Sequence, residues 1–388
     1  MFLFATSTFS AWERHVIDNS SFGADGVRPG DVNQDGLVDF VTGWEEGGII
    51  RIYLHPGADS VQKPWKKITI AEVNSPEDAV FIDLNLDGFT DVVSCSEGNS
   101  KTVFVHWAPQ NQLDYLNKEK WRTEAFPHLQ GKQQWMYCQP YLSEKVNGVH
   151  LYIGAKNEGA QIVNLFSLDN HSTLEAWKSV PIYNAGWIMS LVHEDMDGDG
   201  APDILLSDRK GKNRGCLWLK SPPGAEAVTD GYWEQHRLGE GNRQFMFLDY
   251  GDLDMDGLKD VVVACVEQEI IWYRRLDSQG DLWETITIPF PEHTGTGKSV
   301  RIADINLDGK NDLLFSCENA RDKYGIMWLE AVGDISRNQW QAYDIGGIEG
   351  IKFDLLQVFD LDLDGDLDVI TCEESSNLGV IWYENPTR

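Results

Sequence analysis

The chain predicts an all-β fold: a seven-bladed β-propeller of four-stranded antiparallel blades, with the N-terminal strand closing the last blade. Three observations predict it. A nine-residue acidic pattern, Asp-x-Asp/Asn-x-Asp-Gly-x-x-Asp, occurs six times and runs each time into a short apolar stretch. A tryptophan opens a short alternating segment at Trp12, Trp65, Trp121, Trp177, Trp233, Trp283 and Trp340, at spacings of 50 to 57 residues. No long segment carries the 3.6-residue period of an amphipathic helix. A period near 50 residues is that of a propeller blade, and closing such blades into a ring protects the sheet edges that an open array would expose.

Within a unit the order repeats. A polar turn leads into an apolar strand, then the acidic loop, then two strands such as Val261-Val262-Val263-Ala264 and Ile270-Ile271-Trp272-Tyr273, and the tryptophan-led strand ends the unit. The unit at about 121–176 keeps its alternating segments and lacks the acidic loop. The chain begins with a tryptophan-led strand alone (Trp12–Asp18) and ends after Val380-Ile381-Trp382-Tyr383, where one is missing. The first strand is therefore expected to complete the last blade. Residues 12–386 form one propeller, and residues 1–11 form an N-terminal stub.

The loops carry the clearest chemistry. Carboxylates and amides at alternate positions converge when the backbone curls, and the glycine permits the tight turn. Hard oxygen ligands in that number suit calcium. The expected ligands are Asp31, Asn33, Asp35 and Asp39; Asp83, Asn85, Asp87 and Asp91; Asp195, Asp197, Asp199 and Asp203. They continue with Asp252, Asp254, Asp256 and Asp260; Asp304, Asn306, Asp308 and Asp312; and Asp360, Asp362, Asp364 and Asp368. An EF-hand would place a glutamate twelve positions from the first aspartate, between helices. Position twelve is instead Thr42, Ser94, Leu206, Val263, Phe315 and Thr371, inside apolar β-runs, so that reading fails.

These six loops, each followed by an apolar strand, resemble the calcium-binding repeats of the FG-GAP/VCBS class, which includes integrin α-subunit heads and many secreted bacterial proteins. The resemblance covers nearly the whole chain. The Phe-Gly-Gly-Ala-Pro signature is absent, which favours the VCBS-like branch. The resemblance implies up to six structural calcium sites, on the face away from the usual ligand site. It implies a secreted or periplasmic protein.

Composition sets further limits. With 62 acidic and 32 basic residues the net charge is −30, the wrong sign for nucleic acid. No run of 18 apolar residues exists, so no membrane insertion is expected. A monomer is expected. Cys95, Cys138, Cys216, Cys265, Cys317 and Cys372 form no Cys-x-x-Cys pair. Four of them recur at one place in the repeat, which keeps them apart, so buried free thiols are expected.

Function is then expected at the opposite end of the blades, from the residues before each first strand and after each second strand. A carboxylate recurs after the second strand (Glu45, Glu97, Glu158, Glu267, Glu318, Glu374), either pairing with a neighbouring cation or forming an acidic ring. The residues before the first strands differ from blade to blade, which favours one asymmetric site over seven equal ones. Trp44, Trp135 and Trp187 with Arg28, Arg209, Arg243 and Arg301 offer aromatic faces and cations, a combination suited to carbohydrate, acidic sugars above all. The ligand-binding candidates are these residues with Glu45, Glu97, Glu318 and Glu374. Propellers similar in repeat character include polysaccharide lyases and a sugar dehydratase, so a lyase or dehydratase is the alternative to binding alone, with Tyr137, His193 and Arg243 as catalytic candidates by residue type. A protein-interaction platform is a third reading.

Overall fold

The computed structural model describes residues 11–143, 148–167, 170–222 and 231–387. Residues 1–10 of the expected stub lie outside them. Seven four-stranded antiparallel sheets make up the chain. The first blade is β2 (Ala24–Gly30), β3 (Asp39–Trp44), β4 (Ile49–Leu54) and β5 (Lys66–Glu72). The second is β6 (Pro76–Ile82), β7 (Asp91–Ser96), β8 (Thr102–Trp107) and β9 (Arg122–Ala125). The third, without an acidic loop, is β10 (Gln134–Ser143), β11 (Gly148–Lys156), β12 (Gln161–Ser167) and β13 (Lys178–Asn184). The fourth is β14 (Ile188–Glu194), β15 (Asp203–Asp208), β16 (Gly215–Lys220) and β17 (Glu234–Arg237). The fifth is β18 (Phe245–Gly251), β19 (Asp260–Cys265), β20 (Glu269–Arg275) and β21 (Trp283–Pro289). The sixth is β22 (Thr296–Ala303), β23 (Asp312–Glu318), β24 (Ile326–Ala331) and β25 (Trp340–Asp344).

The seventh blade takes β26 (Gln357–Phe359), β27 (Asp368–Glu373) and β28 (Gly379–Glu384) from the end of the chain and β1 (Glu13–Asp18) from its beginning. β1 pairs antiparallel with β28, His15 opposite Trp382, so the ring is clasped by its first strand. The tryptophan-led segments are the outer strands. A sequence unit counted from one tryptophan to the next is therefore offset by one strand from the sheet it mostly fills.

Among the described residues, seven buried apolar clusters lie between neighbouring blades. One holds Val41, Ile50 and Ile52 of the first blade with Val92 and Trp121 of the second. Another joins Ile305 and Leu314 of the sixth to Val369, Ile381 and Trp12 of the seventh. The outer-strand tryptophans lid these clusters. Trp65 and Trp121 are buried and donate their indole N–H to the carbonyls of Val61 and Tyr115 at 2.9 and 3.0 Å. All six cysteines are buried and unpaired.

One irregularity recurs. In each of the first six blades, the first strand carries one more residue than the second near its start. The pairs Pro76–Ser96 and Asp78–Cys95 skip Glu77, for example, and Gly297–Cys317 and Ser299–Ser316 skip Lys298. The same shift skips Met136 and Met189, and leaves Gly26-Val27 and Met246-Phe247 facing a single residue each. In the seventh blade, residues 354–356 face only 371–372, between the pairs Phe353–Glu373 and Gln357–Ile370. A β-bulge of this kind re-aims a side chain out of the alternating pattern.

Removing residues 1–18 deletes β1 with the buried Trp12 and Ile17. Trp12→Ala alone is expected to cost about 3–5 kcal/mol, and the truncation more. Calorimetry should show a lower, broader transition for the truncated chain; an unchanged melt would contradict the clasp.

Candidate functional site

The two ends of the blades differ in chemistry. At one end the acidic loops join first to second strands. Their first aspartate turns inward on its own loop: Asp31 accepts from the N–H groups of Asp35 and Gly36 at 3.0 and 2.9 Å, and Asp83 and Asp304 repeat the pattern. Two residues per loop are left-handed. The fourth position has φ 58° at Gln34 and 60° at Leu86, and the sixth, always glycine, has φ 85° at Gly36 and 98° at Gly365. Nothing lies within 4 Å of a Cβ placed on Gly36, so its backbone conformation alone requires the glycine.

The ninth aspartate does something else. Asp39 is fully buried and accepts from Val32 N–H at 3.0 Å and His55 N–H at 2.8 Å. Asp91, Asp203, Asp260 and Asp368 likewise take one N–H from the second loop position and one from the end of the third strand. Asp312 takes Ala331 N–H at 2.8 Å. Burial pushes Asp39, Asp91 and Asp368 up to about 7. It takes Asp203, Asp260 and Asp312 to about 6.

The loops fit a hard cation. Asp195, Asp197 and Asp199 bring one oxygen each within 4.8 Å of one another, as do Asp252, Asp254 and Asp260. Buried oxygens of Asp254 and Asp360 lack a hydrogen-bond partner. In three loops a side-chain cation already lies on such oxygens: Lys220 pairs with Asp197 and with Asp199 at 3.5 Å, Arg274 with Asp254 at 2.5 Å and Asp256 at 3.4 Å, and Lys310 with Asp308 at 3.0 Å.

At the other end, on the ring axis, is a cavity of about 270 Å³ lined by residues of all seven blades. The bulges build it. Gly26, Glu77, Met136, Met189, Phe247 and Lys298, all residues released from pairing, line its wall, and Asp354 and Leu355 come from the corresponding place in the seventh blade. Asp25, Asp78, Tyr137 and Ile188 flank them on the first strands, with Trp187 just ahead of β14. Glu45, Glu97, Lys156, Arg209 and Glu318 reach in from the ends of the second strands, and Lys352 from ahead of β26.

Most of these charges are paired. Lys156 bridges Glu97 and Glu77 (3.4 Å to the latter), Lys298 bridges Asp354 at 2.9 Å and Glu318 at 3.8 Å, Arg209 meets Glu318 at 3.6 Å, and Lys352 holds Glu374. Arg28 lies over the Tyr137 ring at 4.3 Å and 3.8 Å from Asp78. Acids outnumber bases all the same. Among the described residues no cation lies within 4.0 Å of the Asp25 carboxyl, Lys298 acting on it only from farther off, and it lies within 4.8 Å of Glu45 and Glu77 in one group and of Asp354 and Glu374 in another. The carboxyls consequently split. Burial, then Asp354, Glu374 and Glu77, push Asp25 well up. Burial raises Glu77 strongly against Lys156, and takes Glu374 to about 7 with help from Asp354. Burial works against Asp354 too, yet Lys298 and a hydrogen bond from Asp25 hold it at about 2. The cavity thus holds proton-bearing carboxyls beside an ionised one, an arrangement able to donate and accept hydrogen bonds, or protons, in the same space.

The cavity gathers Glu45, Glu97, Tyr137, Trp187, Arg209 and Glu318 of the residues singled out by sequence, with Glu374 and Arg28 immediately behind its wall. Others lie elsewhere. Trp44 and Trp135 are fully buried in the packing between blades, their indole N–H groups on Tyr53 Oη at 2.9 Å and Leu129 O at 3.2 Å. Arg243 pairs with Glu269 at the edge of the fifth blade, outside the cavity wall. Arg301 bonds Gln357 at 3.2 Å and Leu248 O at 3.3 Å between inner strands. His193, next to the acidic end, is enclosed by Tyr141 and Tyr152 rings at 4.9 and 4.8 Å, and burial lowers it to about 3. Glu77, Asp78, Lys298, Lys352 and Asp354 stand in the segments ahead of the first strands that the sequence assigns to this end, though none of them is among the ligand-binding candidates; Asp25 was missed, because a bulge leaves no mark in the alternation of a single strand.

Glu374 gives the site a pH signature. Its folded value of about 7 lies above its ordinary 4.5, so the folded state keeps a proton that the unfolded chain has lost. Its contribution to stability is complete below 4.5 and disappears as pH rises towards 7, on the order of 3 kcal/mol at most. Asp25 and Glu77 carry the same sign. Glu374→Gln should flatten the fall in Tm across this window relative to wild type; a parallel pair of curves would contradict the assignment.

Comparison with known proteins agrees with the geometry. A family model described as an FG-GAP-like repeat matches residues 31–94 and 252–315. No curated protein sequence matches the chain. Among solved structures, a chain in the crystal structure of BBS1N in complex with ARL6DN, soaked with mercury, superposes with TM-score 0.56 at 11% identity, over 98% of both chains. The lead-soaked counterpart gives 0.54 at 12% identity, again over 98% of both. At that identity the likeness is one of fold. The chain is a seven-bladed β-propeller in which two stretches match the FG-GAP-like repeat, a fold that supports a platform for ligands or protein partners.

Proposed function

We propose that this protein is a calcium-stabilised propeller that binds one hydroxyl-rich ligand, a saccharide, in the cavity on the ring axis. The observation that carries the reading is the wall of that cavity. Seven blades with repeated loops at one end converge, at the other, on a single non-repeating set of hydrogen-bonding groups beside the Trp187 and Tyr137 rings. Such sets recognise sugars through bidentate contacts to adjacent hydroxyls and an apolar ring face. A lectin with one site per blade would repeat its lining; this one does not.

The six loops support the calcium part through their oxygen donors and their orphaned buried oxygens. Loops of this kind work at the calcium levels of extracellular fluid, which is the support for placing the protein outside the cell or in the periplasm. Split carboxyl states favour a second reading, in which Asp25 or Glu77 acts as acid and a neighbouring ionised carboxylate as base on a bound sugar, as a lyase or dehydratase would require. The binding of BBS1N to ARL6DN in the fold neighbour lends some support to a third, protein-partner reading.

Titration of the calcium-loaded protein with a saccharide panel should find a ligand. Glu45→Gln should weaken it about tenfold, the worth of one charged hydrogen bond, and leave Tm unchanged or higher because burial and Glu97 already strain that carboxylate. A panel without a binder, or a binder indifferent to Glu45→Gln, would overturn the reading. Unsaturated products on incubation would decide for the lyase. Separately, a chelator should lower Tm by an amount that millimolar calcium restores, about 2.7 kcal/mol for each site at one hundred times its Kd; a melt indifferent to chelation would remove calcium from the account.

A further inference from the structure

One corner of the cavity is built differently from the rest. Three cations crowd the Trp187 indole: Lys210 Nζ at 4.3 Å from the ring centroid, Lys156 Nζ at 4.7 Å and the Arg209 guanidinium at 4.8 Å. Two have carboxylates to answer them, Lys156 on Glu77 and Glu97 and Arg209 on Glu318 at 3.6 Å. Lys210 has none within 4.0 Å among the described residues. Lys210 is an exposed residue at the rim of this corner; desolvation and Arg209 lower its affinity for a proton, with Glu318 opposing them and Lys156 adding to them. Trp187 Nε1 and Arg209 Nε are both buried and have no acceptor. A buried N–H without a partner is destabilising and favours a ligand that supplies an acceptor.

The corner is also rigid. Asp208 accepts from Trp187 N–H at 2.7 Å and from Gly186 N–H at 2.9 Å. Gly186 packs so closely on the next turn that a Cβ there would fall 1.8 Å from Lys210 O. The two segments that carry Trp187 and Lys210 are therefore locked to each other before any ligand arrives. A preformed corner with two orphaned N–H donors and a lysine that touches no carboxylate lacks one thing, an acceptor with negative charge.

We propose that the Trp187 corner is an oxyanion subsite, in which Arg209 Nε, Trp187 Nε1 and the Lys210 ammonium take a carboxylate, sulfate or phosphate carried by the saccharide. This rests on the saccharide reading and deepens it: the ligand has an anionic end at Trp187 and hydroxyls towards Asp25, Glu45 and Glu77. The acid-rich remainder of the wall repels a second anion, so the ligand enters in one orientation.

The test is calorimetric titration of the calcium-loaded protein with matched neutral, uronate, sulfated and phosphorylated oligosaccharides, and with inorganic sulfate and phosphate alone. At least one anionic form should bind ten- to one-hundredfold tighter than its neutral counterpart. Lys210→Ala should erase most of that preference while neutral affinity and Tm stay at wild-type values, and Trp187→Phe, which keeps an aromatic ring and loses the N–H, should weaken the anionic form by a larger factor than the neutral one. The arm that shows the preference names the anion. Equal affinity for neutral and anionic forms, or variants that weaken both alike, overturns the subsite and leaves the saccharide reading standing. Binding of an inorganic anion that Lys210→Ala abolishes, with no saccharide bound, keeps the subsite and overturns the saccharide. Silence in every arm overturns both.

Discussion

A buried aspartate ties each looped blade together at one end, and the rest of the ring depends on it. Asp39 and its counterparts accept one N–H from the start of their own loop and another from the end of the third strand. The contact links the loop to two neighbouring strands at the point where the chain reverses. Breaking it would strand two buried N–H groups at about 1–3 kcal/mol each. Six copies of that tie make one end of the propeller a frame, with little freedom to vary and correspondingly little to tell one ligand from another.

Variation is concentrated where the frame is absent. At the far end each first strand carries one surplus residue, and the bulge turns that residue towards the axis. A single geometric device therefore presents a different side chain from each blade: Glu77, Met136, Met189, Phe247, Lys298. Acids exceed bases in this crowd, and burial together with the mutual repulsion of the carboxylates settles the excess by keeping protons on some of them. The Trp187 corner is the exception, with positive charge in surplus. A ligand site with opposite surpluses at its two sides has a built-in direction.

Much of this was legible in the sequence because the informative patterns are local. The acidic loop and the outer-strand tryptophan each occupy a few consecutive residues, so their repetition gave the blade number, the loop-less blade and the clasp by β1. The expectation of a site at the end opposite the loops came from the family resemblance, and strand order then named the segments that reach that end. The membership of the site was not legible. Trp44 and Trp135 stand at strand ends, as lining residues would, but the indoles turn sideways into the clusters between blades and find partners in Tyr53 and Leu129. Asp25 precedes Arg28 by three residues with a bulge between them, and without the bulge the register points the wrong one at the cavity. Arg28 is instead held behind the wall by Tyr137 and Asp78. His193 shows the complementary failure: a residue type suited to chemistry, placed by its strand at the framed end.

The central claim is that the two ends divide the labour, one holding the ring and the other meeting the ligand. Hydrogen–deuterium exchange of the metal-free, calcium-loaded and ligand-bound protein addresses it most directly. Calcium should slow exchange in the six loops, and ligand should then slow the segments around Asp25, Glu77, Trp187 and Lys352–Leu355 while the loops do not change further. Ligand protection confined to the acidic loops or to the outer strands would contradict it.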